Sequence, residues 1–272
     1  MTSDCPWRAI SRRAWRSCVF SGAFLMAALA FAQDPFEIHV LEYEDLQPGD
    51  LTIEVHTNFV GQGTTVMRGP AAATQDQAHV TFELTGAVVP EFSFGIMQLN
   101  ERLPGGPPQS TGWRFVPHFY VPTSWHLPAL LGVTAEFSFE KVLPGGVTRT
   151  VEILPIVEKR FGRWKADVNP TIEKVLSGYN PDRGWDFGLA ARVAYERMQQ
   201  FTPSLEYYSD FGALPVLLPI RSEVHQIVPG GDFHLTRNVT LNVGVGVGLT
   251  SAGDRLFYKS RLEVSWGGRA KH

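Results

Sequence analysis

The chain has 272 residues, of which 44% are hydrophobic and only 19% charged, with a formal net charge of −3. This is enough for one large domain, and the near-neutral charge without a basic patch excludes nucleic acid as a partner. The only cysteines, Cys5 and Cys18, both lie near the N-terminus, so neither a disulfide framework nor a Cys-based metal site is expected in the body of the chain.

The first predicted element is a leader. Arg8, Arg12, Arg13 and Arg16 precede an apolar run from Cys18 to Leu29, and Ala30-Phe31-Ala32 offers the small-x-small pattern of signal peptidase cleavage. The apolar run is shorter than the roughly 20 residues a helical span needs. Cleavage after Ala32 is therefore expected, with export by the general route rather than the twin-arginine one. It would remove both cysteines and leave 20 basic and 26 acidic residues, a net charge of about −6. Cys18 follows Trp15-Arg16-Ser17, which is not a lipobox, so no lipoprotein anchor is predicted. Residues 33–49 follow. Their stretch from Phe36 to Leu46 alternates, and reads as a periplasmic strand or as a plug inserted into whatever comes next.

From residue 50 onward the chain repeats a period of two. Leu51, Ile53, Val55 and Phe59 alternate with Thr52, Glu54, His56 and Asn58. Similar rows follow: Val80, Phe82 and Leu84; Val133, Ala135, Phe137 and Phe139; Phe187, Leu189, Ala191 and Val193; and Val239 through Leu249 on the odd positions. Leu256, Tyr258, Leu262, Val264 and Trp266 form the last row. Strict alternation puts one side-chain set on each face of a pleated strand. The runs fall near 50–59, 79–88, 91–99, 112–121, 129–140, 148–159, 163–173, 184–196, 201–209, 222–234, 238–249 and 255–266. Each is close to the 9–11 residues that cross a bilayer at a tilt, and twelve is an even count, as a bacterial single-chain barrel requires. An all-β fold is expected over 50–266: a transmembrane antiparallel up-and-down β-barrel of about 12 strands, with a short tail at 267–272.

The connections sort by length. Those expected outside the cell (60–78, 100–111, 141–147, 174–183, 210–221, 250–254) are mostly longer than the periplasmic ones (89–90, 122–128, 160–162, 197–200, 235–237). Trp113, Trp125, Trp164, Trp185 and Trp266 all fall at predicted strand ends or in turns, the pattern of an interfacial girdle. Pro117, Pro155, Pro170 and Pro203 conflict with this picture. A closed barrel has no free edge for a residue without an N–H, so bulges or shifted boundaries are expected there.

The face opposite the apolar one is small, amide and carboxylate rather than dense in Lys and Glu, which suits a lumen better than open solvent. The lumen-lining candidates are Glu54, His56, Glu83, Arg114, Glu136, Glu152, Lys165, Asn169, Arg192, Glu206 and His225. Two readings stay open. The carboxylates pair with Arg114, Lys165 and Arg192 in a network that fills a closed structural lumen, or they line a narrow channel that favours cations or neutral solutes. Twelve strands lie between eight, where side chains fill the interior, and sixteen, where a water channel opens. The glycines at 244, 246 and 248 suggest close packing on the lumen side.

Leu51-Thr-Ile-Glu-Val-His-Thr-Asn-Phe-Val-Gly, Pro203-Ser-Leu-Glu-Tyr-Tyr-Ser-Asp-Phe-Gly and Asn242-Val-Gly-Val-Gly-Val-Gly-Leu-Thr-Ser-Ala-Gly-Asp-Arg resemble stretches of uncharacterised proteobacterial outer-membrane β-barrel proteins. These are grouped with the transporters of the meta-pathway of phenol degradation. The resemblance implies an outer-membrane barrel for uptake of small, partly apolar solutes, and supplies no catalytic residues. Such a chain would have outer-membrane lipids and the barrel-assembly machinery as partners. The alternative of a lipid-modifying enzyme needs a His and a Ser two apart on one strand face. None of the eight histidines has Ser at the second position after it; His79-Val80-Thr81 places a Thr there. No catalytic residue, metal site or cofactor is predicted.

Overall fold

In the computed structural model, twelve strands close on themselves: β1 (Leu51–Gln62), β2 (Ala78–Val89), β3 (Phe92–Arg102), β4 (Pro108–Tyr120), β5 (Leu130–Val142), β6 (Gly146–Phe161), β7 (Trp164–Ser177), β8 (Trp185–Tyr195), β9 (Phe201–Leu214), β10 (Val224–Thr236), β11 (Val239–Gly248) and β12 (Leu256–Trp266). The structure describes residues 34–66, 72–142, 146–179, 181–182 and 184–267. The expected leader lies outside these, as does the tail beyond Gly267. Each strand pairs antiparallel with its sequence neighbours, and β1 closes on β12 from Leu51↔Trp266 to Phe59↔Tyr258. The predicted up-and-down barrel of twelve strands is the observed fold. Closure leaves no unpaired edge, so the ladder satisfies the backbone without help from water.

The alternation sets the two faces. On β1 the even positions Glu54, His56 and Asn58 are buried, whereas Leu51, Ile53 and Phe59 are exposed. Large apolar side chains cover the outside all the way round, among them Phe82, Ile96, Phe115, Phe137, Val168, Val193, Val245 and Tyr258. The inside holds the buried charge. This is a soluble protein turned inside out, the arrangement a lipid surround requires.

The prolines are absorbed without moving the strands. Pro155 on β6 and Pro170 on β7 stand opposite each other. Their ladder runs through Ile153↔Ile172 and Val157↔Val168 and is interrupted between. Two residues lacking an N–H thus share a single defect. Asn169 Nδ2 donates to the Pro155 carbonyl at 3.3 Å, part of what the ladder omits there. The β4–β5 ladder skips Pro117 in the same way, between Phe115↔Phe137 and His118↔Thr134.

Both chain ends of the barrel, Leu51 and Trp266, lie at one rim, called here the terminal rim; the other is the far rim. Far-rim connections 63–77, 178–184 and 215–223 are long and terminal-rim turns 90–91, 162–163 and 237–238 short, as expected, and 249–255, short in the sequence pattern, is seven residues long. Connections 103–107 at the far rim and 196–200 at the terminal rim are equal in length, and two others reverse the rule. At the far rim β5 ends at Val142 and β6 begins at Gly146, because both strands extend beyond the alternating pattern, and 121–129 at the terminal rim carry a 3-10 turn at Thr123–Trp125. Trp113 also departs from expectation. β4 begins at Pro108, so this tryptophan sits within the strand, opposite Phe139 and Gln98, rather than at its end.

Residues 34–49 form neither strand nor helix. The alternation there serves packing instead. Val40 is fully buried among Val60, Ala190, Tyr208, Val228 and Phe257, which come from five strands around the circumference. Phe36 packs with Met97, Leu99 and Val116 and meets His79 edge-on at 4.9 Å. A segment that touches inward residues on opposite walls lies in the lumen. Gly244 and Gly246 make room for it. A Cβ at 246 would land on the Phe257 ring, and one at 244 would meet Val228, both of which pack on Val40.

Candidate functional site

The lumen is where alternation concentrates most of the buried polar side chains of the strands, so it is the place to look for chemistry. Three groups of charges line it. In the first, Arg114 on β4 reaches Glu136 at 2.7 Å and Glu140 at 3.0 Å on β5, while its Nε donates to Ser138 at 2.8 Å. The same guanidinium pairs with Asp34 of the N-terminal segment and lies 3.5 Å from Glu37. In the second, Arg192 on β8 pairs with Asp232 on β10 and with Glu42 of the segment. Lys165 on β7 also pairs with Glu42, and Lys259 on β12 with Glu206 on β9, whose carboxylate accepts the Tyr208 hydroxyl at 2.6 Å. In the third, Arg261 holds Glu54 at 3.2 Å and lies 3.6 Å from Glu263, and His56 sits between Glu54 and Glu83.

Register adds a fourth feature. Glu136↔Glu152, Glu152↔Glu173 and Glu173↔Asp186 are direct cross-strand partners, so four carboxylates form one row across β5 to β8. Like charges directly opposite each other are unfavourable, and Asp34 and Glu37 add to the negative potential on this side. A cavity of about 80 Å³ opens here between the wall (Glu136, Glu152, Asn169, Thr171) and the segment.

The segment is fastened chiefly by side chains. Asn169 brackets Leu41, accepting from its N–H at 2.8 Å and donating to its carbonyl at 3.1 Å. The Tyr43 N–H reaches Glu158 at 3.2 Å, and its hydroxyl donates to the Val121 carbonyl at 2.8 Å. Lys259 donates to the Ile38 carbonyl at 3.0 Å, and Asn58 to that of Pro35. Each of these bonds between residues 35–43 and the wall involves a side chain.

Ten of the eleven residues expected in the lumen face it: Glu54, His56, Glu83, Arg114, Glu136, Glu152, Lys165, Asn169, Arg192 and Glu206. His225 does not. Val224, Gln226 and Val228 alternate as the buried positions around it on β10, so His225 points outward, where it bonds the Tyr207 hydroxyl at 2.6 Å and Glu223 at 2.9 Å beside Phe211. Its parity with Ile227 and Phe233 carried that signal. Lys259, Arg261 and Glu263 share the odd, inward face of β12 with Phe257, a placement legible from the apolar even face although these three are not among the sequence candidates. Asp34, Glu37 and Glu42 had no such signal, because a segment without a ladder has no fixed face.

No protein-family model and no curated protein matches the sequence. Solved structures do resemble the fold. An outer membrane channel from Pseudomonas putida F1 aligns with a TM-score of 0.59 at 11% identity, over 85% of this chain and all of that one. The NanC porin aligns with a TM-score of 0.51 at 6% identity, over 79% of this chain and all of that one. At these identities the likeness concerns the fold, and those neighbours are outer-membrane barrels.

Proposed function

We propose that the protein is a channel of a Gram-negative outer membrane for small solutes, exported with cleavage of the leader after Ala32 and closed at rest by its own residues 34–49. The observation that carries this reading is the way the lumen is filled. A twelve-stranded wall encloses space that its own side chains do not fill. The chain occupies it with a segment held by side-chain bonds and ion pairs, which separate without breaking the barrel ladder. Outward apolar residues on all sides support the membrane location. The sequence resemblance to phenol-pathway transporters and the likeness to a Pseudomonas putida channel support transport, and the former suggests small, partly apolar solutes.

The acidic row gives the opened path a sign. With the segment gone, Glu152 and Glu173 face the lumen inside a low-dielectric wall, where their potential is focused and favours cations. Planar-bilayer recording tests both points. The intact barrel is expected to be silent or rarely open. Deletion of residues 34–46 is expected to give steady, cation-preferring conductance, and Glu152→Gln with Glu173→Gln to reduce the preference without abolishing the current. A deleted barrel that folds, shifts on boiling in gel electrophoresis and still passes no current would leave a structural barrel with a closed lumen.

A further inference from the structure

We propose that the lumen holds a binding site for one divalent transition-metal ion, formed by Glu54, His56 and Glu83 on the wall and completed by His39 of the N-terminal segment. Glu54 on β1 and Glu83 on β2 are direct cross-strand partners, and His56 lies two residues along the same inward face. All three are buried, and one ligand atom from each lies within 4.8 Å of the others. His56 Nε2 stands 3.1 Å from a Glu54 oxygen and 3.3 Å from a Glu83 oxygen. One imidazole nitrogen carries at most one proton, yet two carboxylates converge on it. Two ligands of a tetrahedral ion with bonds of roughly 2.0–2.1 Å stand about 3.3 Å apart, so the spacing suits a shared ion as well as it suits a shared proton.

Unused imidazoles around the cluster point the same way. The His39 ring is 6.1 Å from that of His56, and its Nε2 is buried with no hydrogen-bond partner. His118 is 7% exposed. Its Nδ1 is engaged with Thr134 at 2.8 Å, its Nε2 is buried without a hydrogen-bond partner, and the residue lines the cavity that Glu54, Glu83 and His39 also line. Mixed imidazole and carboxylate donors suit zinc, cobalt or iron better than the all-oxygen sets of calcium and magnesium. Arg261 is the competitor, because it holds Glu54. It retains Glu263 at 3.6 Å when Glu54 turns to the ion. Since His39 belongs to the segment, the ion would tie the segment to the wall.

The test is made on the untagged full barrel in detergent, freed of metal by chelation and titrated with Co²⁺ and then Zn²⁺. One equivalent of Co²⁺ is expected to bind with the intense visible bands of a low-coordinate ion, and Zn²⁺ to displace it. His56→Ala and, separately, Glu83→Gln are expected to weaken binding about a hundredfold while the unheated band shift persists, since even outer-shell changes cost about 10–100-fold. His39→Ala is expected to weaken it about tenfold. Absence of Co²⁺ and Zn²⁺ binding by the folded protein, or binding unaltered in both wall variants, would overturn the site. Unaltered affinity in His39→Ala would overturn the tie to the segment. None of these readouts depends on whether the barrel conducts.

Discussion

Arg114 stands at the junction of wall and segment, facing Glu136, Glu140, Asp34 and Glu37 at once. Burying an ion costs several kcal/mol unless partners compensate, so removing the single cation strands its anions. Arg114→Met is expected to destabilise the barrel by about 3–5 kcal/mol, measured by urea unfolding in detergent micelles. Adding Glu136→Gln should recover part of that loss, because a neutral amide needs no counter-charge; a double variant no more stable than the single would contradict this role. Asn169 acts at the same scale with neutral chemistry. One amide serves the Leu41 backbone and the carbonyl beside a proline defect.

At the scale of the element, β11 shows how a strand shapes what lies beside it. Its inward face is glycine at 244, 246 and 248 and its outward face is Val243, Val245 and Val247. The bare inward face admits the Phe257 ring and with it the Val40 cluster. Gly246→Val drives a side chain into that ring. Overpacking of this kind costs about 1–3 kcal/mol, and the segment is the part least tied to the ladder. Limited proteolysis is therefore expected to cut within residues 34–49 faster in Gly246→Val than in the wild type, while the barrel itself resists. Equal cutting rates would show that the Val40 cluster does not hold the segment. The facing pair Pro155 and Pro170 makes a related point, since a defect shared across one ladder leaves the strands on both sides in register.

For the whole molecule, the inverted distribution of polarity is the property that decides where it resides. Val245 is 41% exposed at the middle of an outward row. In a bilayer Val245→Arg is expected to cost about 2–4 kcal/mol, the penalty for a charge at the midplane of a barrel's lipid face. On a water-facing surface the same change would be near neutral. Folding titrations in lipid vesicles distinguish the two. Cell fractionation should likewise recover the protein with membranes as a band that shifts on boiling, and recovery in a soluble fraction would contradict the proposed outer-membrane location.

The sequence by itself determined the strands, their number, their two faces and thus the barrel, because a period of two acts locally and needs no knowledge of neighbours. Leu51, Ile53 and Phe59 against Glu54, His56 and Asn58 already separated outside from inside. Parity also held the information on His225 and on Lys259 and Arg261. Its signal is weak only where β10 carries Pro229, Gly230 and Gly231 in place of informative side chains. The tertiary structure alone decided which charge meets which. Arg114 finds Glu136 because β4 and β5 are neighbours in register, but it finds Asp34 and Glu37 because the chain turns back into its own lumen. Glu42 reaches Lys165 and Arg192, more than 120 residues away, by the same path. That contact depends on closure of the barrel around a segment with no ladder of its own, and no periodicity along the chain encodes it.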